Sequence, residues 1–402
     1  MLETLYQHIS IQMLATLVLI VPLGGAIVNG VIALATARTQ TDRLRPTCSF
    51  IGTLAALFSF VGALIILITL AGIQRAEPSF ITGPLVSWVV HKGLVINIGL
   101  AFDQLSSLTA LTITAVGFFA HLYAVGYMTR ELSYARFFAL MNLFLFFMLL
   151  TVLGDNLIAI LAGWEGIGIV SYLMISHWFD DPDHARVATK AIIIDHVGTT
   201  ALFIGIFLIF GVMGAANVSP DAGVFSVATI ERHAAWFLPV ATLVSAAFFI
   251  AAAVRAAQLP FFIWLTDSMA GPTPASAFMH ATCMVAAGIY LIARMNFLFV
   301  LSPQVLQVMI ILGASTALIA ALIGVMQTDL KKILAFSTVS QLGFMFVASG
   351  LGAFSVAVFH LMTHAFFKAL LFFSAGAAIQ AMRGQRDITR LGGLKDRMPI
   401  TA

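Results

Sequence analysis

The segment VRAAQLPFFIWLTDSMAGPTPASAFMHATCMVAAGIYLIAR (Val254–Arg294) decides the fold of this chain. Arg255 stands at the end of one apolar run and His280 lies within the next. Between them the helix is interrupted twice, first at Pro260 and then at Gly271, Pro272 and Pro274. A helix that breaks inside a membrane frees backbone groups that lipid cannot satisfy, so the break must be buried in protein or line a hydrated cavity. A cation beside such a break is a functional candidate.

The composition excludes a soluble enzyme. Of 402 residues, 61% are hydrophobic and 9% are charged, whereas soluble domains carry about a quarter charged residues. The net charge of +3 gives no indication of nucleic-acid binding. Cys48 and Cys283 have no ligand spacing, and motifs for nucleotide, flavin or iron–sulfur clusters are missing, so we expect no metal or cofactor on this chain.

We predict an all-α polytopic membrane protein, because apolar runs of about 20 residues suffice to cross the hydrocarbon layer. Eleven predicted spans lie near 11–35, 49–73, 104–128, 135–153, 155–177, 187–212, 237–259, 274–297, 303–325, 329–350 and 352–382. The seventh is the broken helix, near 237–270, with 261–270 as its displaced half. Gly and Pro punctuation in loop 74–103 predicts a β-hairpin on the outer face.

The basic residues predict the orientation. With the N-terminus outside, the outer loops hold Arg75, Lys92 and Arg232. The inner loops and the tail then hold Arg38, Arg43, Arg45, Arg130, Arg136, Arg186, Lys331, Lys332, Arg383, Arg386, Arg390, Lys395 and Arg397. This asymmetry places the N-terminus outside and the C-terminus in the cytoplasm.

Two charges inside the predicted spans stand out. Glu165, about ten residues into its span, is interpreted as a protonatable carboxylate on an ion path, or as half of a structural ion pair. We expect Arg255 to be its partner. An arginine keeps its proton in proteins, so Arg255 can bias the protonation of Glu165 but cannot relay a proton.

Asp195 and His196 lie in the middle of the sixth span, and Lys190 precedes them. A histidine titrates near neutral pH and suits proton hand-off. The alternative is that Asp195 and Lys190 merely neutralise each other.

A second row lies in HLMTHAFFKAL, where His360, His364 and Lys368 recur at every fourth residue and therefore share one helix face. This row is interpreted as a proton wire that His280 extends, the alternative for His280 being a hydrogen-bonded histidine of the core. A zinc site is the weaker alternative, because Lys368 repels a cation on the same face.

A weak internal repeat relates two helix starts, DNLIAILA at Asp155–Ala162 and DLKKILA at Asp329–Ala335. Repeats are common in transporters, which place their sites where the repeats meet.

Several motifs together resemble one family, that of subunit L of bacterial NADH–quinone oxidoreductase (respiratory complex I). They are GWEGIGIVSYLMISHW (163–178), AQLPFFIWLTDSMAGPTP (257–274), HATCMVAAGIYLIAR (280–294), QTDLKKILAFSTVSQLGFM (327–345) and HLMTHAFFKALLF (360–372). The resemblance implies an antiporter-like bundle of inverted five-helix repeats. Residues 1–130 would hold three N-terminal helices and the outer hairpin, 131–298 the first repeat, and 299–402 part of the second and a polar tail.

The resemblance also implies a function in the inner (plasma) membrane, proton translocation driven by quinone reduction. Glu165 matches the family's helix-five glutamate and His280 its helix-eight histidine, and His360, His364 and Lys368 match residues that link two half-channels. Membrane-arm subunits are the implied partners, and NADH, FMN, iron–sulfur clusters and quinone belong to partner subunits.

The sequence departs from the family in three respects. Arg255 replaces the helix-seven lysine, and His196-Val197-Gly198-Thr199 replaces Arg-x-Gly-Asp. The chain also ends before the family's twelfth helix. We therefore expect a truncated or divergent paralogue with impaired pumping, and restoring lysine at 255 tests this.

The main rival is the large subunit of Mrp-type sodium/proton antiporters. Gly271 and Ala286 stand where such antiporters tend to have alanine and lysine, which favours complex I. A purely structural assembly subunit is a third reading.

Overall fold

The computed structural model describes residues 2–37, 42–72, 80–91, 94–216, 223–399 and 401. Ten helices in these ranges are long and apolar enough to cross a membrane, and Ala241–Arg255 is a shorter apolar helix. The predicted all-α membrane fold is therefore confirmed. The seventh predicted span is the one that falls short, because its helix ends at Arg255, before the break.

The long helices alternate with short ones around the break. They are α1 (Leu2–Thr36), α2 (Arg45–Gly72), α3 (Gln104–Tyr127), α4 (Tyr134–Leu153), α5 (Leu157–Ile175), α6 (Pro182–Ala215), α7 (Val227–Arg232), α8 (Ala241–Arg255), α9 (Ile263–Asp267), α10 (Thr273–Phe278), α11 (Met284–Arg294), α12 (Asn296–Val300), α13 (Pro303–Val325), α14 (Leu330–Gly350) and α15 (Phe354–Ala381). A π-helical turn, Met279–Cys283, joins α10 to α11.

The chain forms two compact units that interleave along the sequence. Unit 1 comprises Met1–His121, Glu131–Val170 and Leu202–Val244, and unit 2 comprises Leu122–Arg130, Ser171–Ala201 and Ser245–Ala402. These bounds differ from those of the predicted repeats, and the division into repeats stays a prediction.

Unit 1 contains the predicted hairpin, with β1 (Phe80–His91) antiparallel to β2 (Leu94–Phe102). The Asp155 carboxylate fastens β2 to the start of α5 by accepting the Gly99 amide at 3.2 Å. Burial raises the pKa of the Asp155 carboxyl, and its hydrogen bonds with Asn156 and Gly99 counteract that rise. A Cβ at Gly99 would collide with this carboxylate, so the tight approach requires glycine.

The α4–α5 pair of unit 1 forms a close antiparallel hairpin. Only Gly154-Asp155-Asn156 separates the two helices. A Cβ at Gly163 would strike the backbone of Thr151, and a Cβ at Gly166 would strike the ring of Phe147. The glycines therefore let the helices meet at backbone distance, as small residues do in membrane bundles.

The internal repeat reflects a shared way of starting a helix. Asn156 caps α5 by accepting amides of its first turn, and Asp329 caps α14 in the same way. Each cap also forms an isolated antiparallel bridge to a later residue, Asn156 to Ser226 and Asp329 to Asp387. The sequence match thus extends to the backbone hydrogen bonds around each helix start.

Unit 2 packs around the crossing of α13 and α14. A Cβ at Gly313 would lie 2.6 Å from the Gly343 carbonyl oxygen, and a Cβ at Gly343 would lie 2.6 Å from that of Gly313. Other side chains of α13, such as Ile311 and Leu318, are exposed and suit contact with lipid. The crossing places the start of α14 against the broken segment. This contact stabilises the broken segment.

Candidate functional site

The broken segment of unit 2 begins with a buried ion pair. Arg255, the last residue of α8, is 0% exposed, and its Nε lies 3.1 Å from Asp195 Oδ1 on α6. A buried charge needs such a partner, and the helix C-terminus also favours a cation. The predicted pairing of Arg255 with Glu165 stays a prediction.

Lys190 pairs with a different carboxylate than the sequence suggested. Its Nζ lies 2.6 Å from Asp267 Oδ2 at the end of α9, and both side chains are partly exposed. Mutual neutralisation of Lys190 and Asp195 was the wrong alternative, because five residues turn an α-helix by about 140°. Asp195 therefore faces the buried Arg255 while Lys190 faces Asp267.

His196 differs from its buried neighbour Asp195. It is exposed, and its Nδ1 lies 2.9 Å from the Ile192 carbonyl of its own helix. Its predicted role in proton hand-off has no supporting contact among the described residues.

The backbone groups freed by the break are satisfied by side chains. Trp264 Nε1 donates to the Val254 carbonyl at 3.0 Å, and the Leu259 amide donates to Thr316 Oγ1 at 3.2 Å. Lys331 Nζ donates to the carbonyls of Met269 and Gly271, both at 2.8 Å. Of the two environments expected for the break, burial in protein is the one observed around these groups.

The prediction that Lys331 is a cation of an inner loop is therefore wrong. It lies in the first turn of α14 and is 1% exposed. The charge asymmetry that predicts the orientation rests on the remaining residues.

The predicted second interruption lies where the sequence placed it. A Cβ at Gly271 would lie 3.1 Å from the Met174 carbonyl oxygen, so the turn passes close to α5. Pro272 is the N-cap of α10 and Pro274 lies in its first turn, where a proline costs no hydrogen bond. Pro260 occupies the first interruption, between α8 and α9.

His280 lies in the π-helical turn and is fully buried. Its Nε2 is 3.0 Å from Ser268 Oγ, which donates to the Leu265 carbonyl at 2.6 Å. Nδ1 has no hydrogen-bond partner in the described ranges. Such π turns recur at functional sites, and this one leaves an imidazole nitrogen available for a further proton acceptor or donor.

The predicted row on α15 is present, and its buried end points at helix α14. His360 Nε2 lies 2.7 Å from Gln341 Oε1, and Lys368 Nζ donates to the Leu334 carbonyl at 3.2 Å. His364, between them, is 0% exposed, and neither ring nitrogen has a well-formed hydrogen bond among the described residues.

The row meets the π turn. The ring of Phe372 lies 6.5 Å from that of His280, and the backbone of Ala281 lies beside His364. Unit 2 therefore brings His280 near the row that contains His364 and Lys368.

Glu165 belongs to unit 1. It lies on α5, and its Oε1 is buried without a hydrogen-bond partner in the described parts of the chain. Its predicted role on an ion path stays a prediction. Groups of three or more His, Cys, Asp or Glu side chains that could hold a metal ion do not occur among the described residues.

Sequence reasoning missed four residues that the geometry adds: Asp267, Ser268, Lys331 and Gln341. Asp267 is the one that the sequence could most easily have indicated, because a carboxylate within an interrupted apolar helix needs a partner.

The comparisons with known proteins agree with this geometry. A family model described as NADH:quinone oxidoreductase/Mrp antiporter, transmembrane, matches residues 154–402. The chain belongs to this family. A second model, the N-terminus of complex I chain 5, matches residues 88–138.

Curated relatives that carry the name NADH-quinone oxidoreductase subunit L match most of this chain. The protein of Rickettsia felis is 39% identical over 97% of this chain and 58% of its own length, and that of Pseudomonas aeruginosa is 44% identical over 78% and 50%. This chain thus spans little more than half the length of these relatives.

A solved structure of the Mrp complex from Dietzia sp. superposes with a TM-score of 0.81 at 26% identity, covering 96% of this chain and 40% of that one. The chain is therefore a multi-pass membrane protein with an antiporter-like fold.

Proposed function

We propose that this chain is a proton-translocating membrane subunit of NADH–quinone oxidoreductase. It works with other membrane-arm subunits within the bilayer. NADH, FMN, iron–sulfur clusters and quinone belong to partner subunits, and the chain itself carries no redox centre. The names of the relatives and the family models support this assignment.

The observation that carries the proposal is the buried cluster of His280, His364 and Lys368 in unit 2. Titratable groups inside a membrane protein are expensive and rarely serve packing alone. Imidazole nitrogens without fixed partners can accept a proton on one side and release it on the other. The cluster therefore supplies the acceptors and donors that a proton path needs.

Arg255 has a static role in this proposal. Its guanidinium stays protonated and neutralises the buried Asp195 carboxylate at 3.1 Å. It fixes the charge at the break and does not relay protons, so transfer relies on His280, His364 and Lys368.

We place the chain in the bacterial inner (plasma) membrane with its N-terminus outside and its C-terminus in the cytoplasm. Exposed cations of the tail, such as Arg390, Lys395 and Arg397, support a cytoplasmic C-terminus.

The alternative function is sodium/proton antiport, favoured by the Mrp complex as a structural relative. Inside-out vesicles from cells with and without the other oxidoreductase subunits separate the two. The proposal expects proton uptake that requires NADH and the whole complex and is indifferent to sodium. Proton movement driven by a sodium gradient without NADH would support the antiporter instead.

A further inference from the structure

The Lys190–Asp267 pair lies at an aqueous end of unit 2. Helix α6 has 34 residues, about 51 Å, whereas the hydrocarbon layer is about 30 Å thick. Its N-terminal turns therefore extend beyond the lipid. They follow Asp180 and Asp181 and contain Asp183, and all three of these residues are exposed. Lys190, the ninth residue of the helix, sits near this boundary, with its side chain 46% exposed and that of Asp267 31% exposed.

The two ion pairs of α6 differ in their access to water. Arg255 and Asp195 have side chains 0% and 4% exposed, and the guanidinium does not exchange its proton. The Lys190–Asp267 pair is open to solvent and includes an ammonium and a carboxylate, both of which exchange protons. Of the two pairs, only Lys190–Asp267 can take protons from water.

Asp267 is also the residue next to the buried chemistry. Ser268 follows it directly in the chain, and Ser268 Oγ lies 3.0 Å from Nε2 of the fully buried His280. Carboxylate, hydroxyl and imidazole thus form a series in which the first two are linked by adjacency in the chain and the last two by this contact. The serine and the histidine are both 0% exposed, so the carboxylate is the member of this series that meets water.

We propose that Asp267 is the group through which protons from the aqueous phase reach His280, and that Lys190 positions its carboxylate. The inference rests on the proposed function. Lys190 holds the carboxylate in place through the ion pair at 2.6 Å.

The step balances in protons. Asp267 takes one proton from hydronium in the aqueous phase, which becomes water, and passes it through one water molecule to Ser268 Oγ, while the serine hydroxyl proton moves to His280 Nε2. Asp267 returns to the carboxylate, Ser268 to the hydroxyl, and His280 has gained one proton. This requires His280 to present an unprotonated Nε2 when the transfer begins, and the hydroxyl to turn from the Leu265 carbonyl toward the ring.

The test compares variants of the complete complex in membrane vesicles, with protons translocated per NADH oxidised as the readout. Asp267→Asn removes the exchangeable proton at almost constant size. Asp183→Asn is the matched control, because Asp183 is an exposed carboxylate at the same end of α6 whose recorded partner is Arg186, at 3.3 Å. The double variant Lys190→Asp with Asp267→Lys restores an ion pair and moves the carboxylate onto α6. Immunoblots of assembled complex normalise all variants.

We expect Asp267→Asn to lower the ratio to that of Lys368→Met, Asp183→Asn to match the wild type, and the charge-swapped pair to remain low. A wild-type ratio in Asp267→Asn, or recovery in the charge-swapped pair, would overturn the assignment and leave a merely structural ion pair. If Lys368→Met also retained the wild-type ratio, the proposed function itself would fail, which distinguishes the two failures.

Discussion

At the scale of single residues, the Arg255–Asp195 pair is where this chain departs most clearly from the pattern it resembles. Both partners are buried, so each charge depends on the other. Breaking a buried pair by removing one partner costs about 3–5 kcal/mol, whereas replacing both by apolar residues is often neutral or stabilising. The pair therefore acts as a fixed unit at the break.

This dependence gives a stability prediction. Arg255→Leu alone leaves the Asp195 carboxylate buried without its cation and should destabilise the protein by about 3–5 kcal/mol. Arg255→Leu with Asp195→Leu should recover most of that loss. Unfolding midpoints of the purified protein in detergent measure both changes. Equal destabilisation by the single and double variants would contradict the pairing.

A second residue-scale prediction concerns Lys331. Lys331→Met leaves the buried carbonyls of Met269 and Gly271 without their donor, at a cost of roughly 1–3 kcal/mol for each unsatisfied group. Hydrogen exchange of amides at 268–276 should accelerate. Lys332→Met is the matched control, since Lys332 is the exposed neighbour. Similar exchange in both variants would show that Lys331 does not hold the turn.

At the scale of elements, helix contacts through glycine organise both units. The α13–α14 crossing is set by Gly313 and Gly343, each of which meets the other's carbonyl. Gly211, by contrast, has open space where a Cβ would stand. The glycines of this chain are thus of two kinds, those at helix contacts and those that face open space. Only the glycines at helix contacts determine how closely two helices approach.

Matched alanine substitutions separate these two kinds of glycine. Gly343→Ala should push α13 and α14 apart and destabilise the protein by about 1–3 kcal/mol, as overpacking does. Gly211→Ala should be neutral or stabilising by up to about 1 kcal/mol, because alanine favours helix. Thermal midpoints in detergent compare them. A neutral Gly343→Ala would mean that the crossing is looser than described.

Elements were also what the sequence predicted best. Apolar length identified ten of the spans, and Gly and Pro located the hairpin and both interruptions of the broken helix. The spacing of four residues predicted that His360, His364 and Lys368 share one face of α15. These features depend on local periodicity and backbone chemistry, which a single sequence carries.

The partners of charged side chains were harder to predict. Asp195 and Lys190 are near in sequence, yet they bind Arg255 and Asp267 on other elements. Lys331 resembled a loop cation because it follows the cap residue Asp329, but it is buried against the broken segment. Such pairings depend on how helices rotate and pack, which periodicity does not determine.

At the scale of the whole molecule, three features of unit 2 act together. The break is closed by side chains, its arginine is held by Asp195, and the buried cluster of His280, His364 and Lys368 lies beyond it. A fixed charge at the break and titratable groups in the interior together favour a scaffold that moves protons without redox chemistry of its own.

The most direct test of this central claim is the number of protons translocated per NADH oxidised when Lys368→Met is assembled into the complete complex. Lys332→Met is the control, because it removes the same charge from an exposed position. We expect a reduced ratio for Lys368→Met and a wild-type ratio for Lys332→Met at equal levels of assembled complex. A wild-type ratio in both variants would contradict the claim that this chain carries protons through its buried cluster.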